Sequence, residues 1–110
     1  MRRRVHIRGE RGRWVAEVEG RWLAVLHQTF RVGPHGYRAP IPPEHPGQKR
    51  FEELARALHE HDLVVVQRDR DPVTLARDGY VGVFRFKDLR VDTDAGEMSL
   101  TLTERHADPK

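Results

Sequence analysis

Leu63-Val64-Val65-Val66-Gln67 is the stretch on which the fold turns: four apolar residues in a row, three of them β-branched. A run this short and continuous reads as a strand covered on both faces, because a half-covered strand alternates and a helix needs more length. It is therefore expected at the centre of a sheet. Immediately upstream, Phe51, Leu54, Ala55 and Leu58 recur at i, i+3, i+4 and i+7. That spacing puts them on one face of a helix over about 48–61. Pro46-Gly47 marks its start and Asp62 its end, and Arg50, Glu53, Arg56 and Glu60 lie on the opposite, solvated face.

Downstream, Arg68–Pro72 reads as a charged loop leading to Asp78-Gly79, and Tyr80–Phe86 as a second strong strand. Leu89–Val91 continues that strand after a bulge near Lys87-Asp88. Asp94-Ala95-Gly96 is a turn, and Met98, Leu100 and Leu102 alternate with Ser99, Thr101 and Thr103 in a closing strand. At the other end of the chain, Trp14–Glu19 and Arg21–His27 read as a hairpin about the turn Glu19-Gly20, and Val5 and Ile7 as a short strand before it. Residues 31–47 hold five prolines and three glycines. This composition predicts a long irregular loop rather than regular structure. The expected fold is α+β: a small, strongly bent, mostly antiparallel β-sheet or β-barrel of about six strands with one helix on it. The expected organisation is a single domain, 1–110, with a flexible basic arm at 1–4 and a frayed C-terminus at 106–110.

Leu63–Gln67, the charged loop, and then Gly79-Tyr80-Val81-Gly82-Val83-Phe84 together resemble the rhythm of PUA-like barrels. The resemblance covers about a quarter of the chain. It implies a small barrel that binds RNA or modified bases.

Composition narrows the function. With no cysteine, thiolate metal sites, disulfides and cysteine nucleophiles are excluded, and a reducing, cytoplasmic location is expected. No apolar segment follows the basic N-terminus, so neither a signal peptide nor a membrane span is expected. No P-loop, Gly-x-Gly-x-x-Gly or Gly-x-Ser-x-Gly elbow occurs, and Ser99 is the one serine. His27-Gln28-Thr29 is half of a phosphoesterase-type pair of His-x-Thr motifs, and the second half is absent. His59 and His61 lie about 200° apart on a helix and cannot share an ion there, while His35 and His45 have no spacing that compels zinc. No enzymatic activity, no metal and no cofactor are expected.

The remaining signal is basic charge. The net charge is +3, but residues 1–50 carry eleven Arg and Lys against four Asp and Glu (+7), and residues 51–110 carry nine against thirteen (−4). Arginine outnumbers lysine seventeen to three, and its planar fork suits phosphate, although GC-rich coding alone also raises arginine. The leading expectation is a non-catalytic module that binds DNA or RNA. Arg2, Arg3, Arg4, Arg31, Arg38, Lys49 and Arg50 would supply phosphate contacts and Tyr37 a stacking platform. The alternative is a protein-interaction or accessory subunit using the acidic half (Asp69, Asp71, Asp78, Asp88, Asp92, Asp94) and the proline-rich segment. A small metal-dependent hydrolase built on the loop histidines is the third reading.

Overall fold

Each alternate side chain of the Leu63–Gln67 strand leaves the sheet on the opposite side, and a computed structural model of the chain shows a separate apolar core on each side. The structure describes residues 3–10, 13–41, 44–69, 73, 79–92 and 94–110, with the backbone alone for 44–48. The strands are β1 (Arg4–Val5), β2 (Ile7–Gly9), β3 (Val15–Val18), β4 (Arg21–His27), β5 (Arg31–Val32), β6 (Gly36–Pro40), β7 (Leu63–Gln67), β8 (Tyr80–Asp92) and β9 (Glu97–Pro109). One helix, α1 (Glu44–Glu60), precedes β7, and a 3₁₀ turn (Gln28–Phe30) follows β4. Among the described residues the main path of the sheet runs β2-β3-β4-β7-β8-β9-β6-β5, with β1 beside β9.

β7 lies centrally between β4, parallel to it, and β8, antiparallel. Val64 and Val66 join Leu26, Leu54, Leu58, Phe84 and Leu100 in the core beneath α1. Leu63 and Val65 join Val5, Val18, Leu23, Val83 and Ala107 in the second core. This double covering is why the strand could afford no polar position before Gln67. The β3–β4 hairpin turns on Glu19 (φ 52) and Gly20 (φ 80). Two successive left-handed residues make the type I′ turn whose twist matches the strands it joins.

Three expectations need correction. Among the described residues the sheet has nine strands rather than about six, and of the two expected forms, bent sheet or barrel, it takes the open one. The N-terminal run pairs twice, β2 with β3 and the two-residue β1 with β9, but His6 between them breaks the ladder. Residues 31–47 are not a long irregular loop. β5 and β6 form a hairpin within them, and the helix begins at Glu44 rather than near 48. Gly33 takes φ 66 in the hairpin turn, Pro40 ends its strand, and Pro46 sits in the first helical turn, where its missing N–H has no intrahelical acceptor to lose. Finally, the two chain ends hold each other. Arg4 pairs with Asp108 and Val5 with Pro109, and the Lys110 N–H donates to the Val5 carbonyl at 3.0 Å. Arg3 and Arg4 therefore do not form a free arm, and 106–109 is strand. Met1 and Arg2 lie outside the described residues.

Candidate nucleic-acid interface

The residues expected to contact nucleic acid do not share one surface. Arg3 is ion-paired with Glu19. Arg31 lies with its guanidinium carbon 5.6 Å from the centre of the Phe84 ring, and its Nη2 donates to the Pro34 carbonyl at 3.0 Å. Tyr37 is 4% exposed and meets Phe30 edge to face, with ring centroids 6.3 Å apart. Burial pushes its phenol up to about 12, partly offset by a hydrogen bond with the His27 backbone. The position expected for Tyr37 is therefore corrected: β6 places alternate residues Tyr37 and Ala39 in the core, so the ring is not an exposed platform on the face that carries Arg38.

Lys49 and Arg50 border a cavity of about 460 Å³ along α1, together with Arg13, Glu52, Glu53 and Arg56. Arg13 is fully engaged there. Its Nε and Nη2 donate to the two carboxylate oxygens of Glu53 at 3.1 and 2.8 Å, and Nη1 to Glu10 at 3.1 Å. Its guanidinium carbon also lies 4.2 Å from the centre of the Trp22 ring. The fork holds the Glu53 carboxyl below its usual range, with a smaller push in the same direction from the Arg56 charge. Arg13 thus ties the sheet to the helix, and the cavity offers an anion the exposed Lys49, Arg50 and Arg56.

Arg38 lies elsewhere, on the outer face of β6. The register is informative: Arg38 is opposite Ser99 on β9, and Ser99 is opposite Arg90 on β8. Three adjacent strands thus present Arg38, Ser99 and Arg90 in one row. Two strand spacings separate the arginine backbones by roughly 10 Å, within reach of two long side chains converging on one group. With Thr101, Asp88 and Tyr37 they border a groove of about 340 Å³. Among the described residues neither Arg38 nor Arg90 has an ion-pair partner, whereas Arg3, Arg8, Arg13, Arg85 and Arg105 each have one. β8 bulges here, its register shifting between Lys87 and Arg90, and Asp88 takes φ 56. Such bulges re-aim the side chains beside them, and this one returns Arg90 to the outer face beside Ser99.

From the sequence alone Arg90, Ser99 and Thr101 are given no binding role, yet half of the signal is there. A turn centred on Asp94-Ala95 sets Arg90 against Ser99 by counting back along the hairpin. The other half, Arg38 against Ser99, joins strands some sixty residues apart, and no local pattern encodes it. Among the described residues no three His, Asp or Glu side chains gather as metal ligands. No helix among them is long and apolar enough to cross a membrane. Asp71 and Asp78 of the acidic half, and the side chain of His45, lie outside the description. Comparison with family models, curated proteins and solved structures returned no match for the chain.

Proposed function

We propose that this is a non-catalytic nucleic-acid-binding domain that holds the phosphate backbone in the groove between β6, β9 and β8. The observation that carries the reading is the Arg38–Ser99–Arg90 row: two guanidinium groups without carboxylate partners among the described residues, with a hydroxyl between them. Arginine forks donate two parallel hydrogen bonds to a phosphate, and Ser99 and Thr101 add hydroxyl donors. Asp88 at the rim opposes a bound phosphate, and the two arginines outweigh its single charge. Lys49 and Arg50 on α1 make a second, weaker phosphate contact. Because the contacts go to the backbone rather than to base edges, affinity depends on salt more than on sequence.

The test is a titration of labelled single-stranded and duplex oligonucleotides at ~50 and ~200 mM salt, a range over which phosphate contacts weaken strongly. Binding at the lower salt that falls steeply at the higher supports the reading. No binding of any nucleic acid at ~50 mM salt removes it. A stoichiometric protein partner retained at high salt would put the accessory-subunit reading in its place.

A further inference from the structure

On the inner side of β6, between β4, the 3₁₀ turn and α1, lies a second kind of cavity. Its volume is about 230 Å³, and its walls include Trp14, Phe30, Tyr37, Leu54 and Met98, with Ala39 on the strand side. Its wall is mainly apolar, with His27 its one ionisable nitrogen group, whereas arginines and lysine border the two basic grooves. Tyr37, Ala39, Leu54 and Met98 belong to the core beneath α1, and Trp14 and Phe30 are packed against it half-buried.

We propose that this cavity is a binding site for a small planar aromatic molecule of one or two rings. The proposal does not rest on the nucleic-acid reading. Size sets the upper and lower bounds. An apolar cavity of ~150 Å³ already takes a benzene ring, while drug-sized ligands occupy pockets of roughly 300 Å³ and more. The cavity lies between, so its ligand has room for a ring and a substituent but not for a long chain. The walls set the shape. Three aromatic side chains and the Met98 thioether favour ring edges and faces over a flexible alkyl group. Phe30 and Tyr37 already meet each other at 79°, the edge-to-face geometry a third ring would extend. The ligand is mainly apolar because apolar and aromatic side chains make most of the wall. A polar substituent is tolerated beside His27, which also lines the cavity.

The test uses the full chain with Trp22→Phe, which leaves Trp14 as the one indole, and follows its N–H resonance. p-Cresol is expected to shift that resonance saturably, at least ten-fold more tightly than cyclohexanol of similar size. Ala39→Leu, which fills the cavity from the strand side, should weaken p-cresol at least ten-fold while the other amide resonances stay dispersed. Should that variant not fold, Leu54→Phe fills the same space from the helix. No saturable shift with either compound, equal affinity for both, or undiminished binding in the filled variants would overturn the site. A single-stranded oligonucleotide that moves Trp14 and displaces p-cresol would overturn the assignment to a free small molecule.

Discussion

Two residues show how much one side chain decides in this fold. Tyr37 sits between the outward Arg38 and Gly36, so the strand alternation that exposes the arginine buries the phenol. Its ionisation is raised to about 12 by burial. A group whose folded value lies above its unfolded value of ~10 contributes stability that is complete below ~10 and is lost as the pH climbs to about 12. The wild type should therefore lose on the order of 2–3 kcal/mol across that window, and Tyr80, raised in the same direction by burial, adds to the loss. Tyr37→Phe should remove its share of this alkaline loss, measured as urea midpoints from pH 9 to 12. An unchanged alkaline limb would show that the phenol is not buried in solution. Gly82 is decided by a close approach. A β-carbon there would lie 2.9 Å from Arg105 Nη1 and 3.0 Å from the Ala107 carbonyl oxygen. The same Nη1 donates to the Val81 carbonyl at 2.7 Å and to Asp108 at 3.0 Å. Gly82→Ala should cost about 1–3 kcal/mol through this overpacking, read by chemical denaturation. A neutral result would mean that Arg105 moves aside freely.

At the scale of elements, α1 is held to the sheet in two ways. Leu54, Ala57 and Leu58 pack into the core, and Arg13 clasps Glu53 from the segment just before β3. Leu58 is 4% exposed, so Leu58→Ala should cost about 2–5 kcal/mol in equilibrium unfolding. A change below ~0.5 kcal/mol would contradict the packing of that face. The clasp should show in the pH dependence. Arg13 holds the Glu53 carboxyl below its ordinary range, so the stability it gives is present at neutral pH and lost as the pH falls through the carboxylate range. Glu53→Gln should be less stable than the wild type at pH 7, with the difference closing on acidification. A difference that stays constant with pH would mean that packing, not charge, is lost. The sheet row behaves differently, since Arg38 and Arg90 have no carboxylate partners among the described residues. Replacing either by Gln should leave stability within about ±0.5 kcal/mol, which separates a binding residue from a structural one such as Arg13.

Across the whole molecule, what could be read in advance is what neighbours in sequence determine. Leu63–Val66 announced a strand covered twice, Glu19-Gly20 and Asp94–Gly96 announced their hairpins, and the spacing of Phe51 to Leu58 announced the helix face. The composition of 31–47 misled because proline excludes structure only where an N–H is needed. Pro40 at a strand end and Pro46 in the first helical turn need none. Closure stayed open between bent sheet and barrel because whether a bent sheet meets itself depends on non-local ladders, here the short β1–β9 pairing and the break at His6. The candidate site failed to be legible for the same reason. Charge counting found Arg38 but scattered its partners over 2–50, whereas the fold sets Arg38 beside Arg90, a residue of the acidic half. The most direct test of the proposed phosphate groove is the salt dependence of oligonucleotide affinity for the wild type and for Arg38→Gln/Arg90→Gln, each checked for unchanged thermal stability. The account predicts weaker binding by the double variant and a salt slope lower by about two. A double variant that folds normally and binds with unchanged affinity and slope would contradict it.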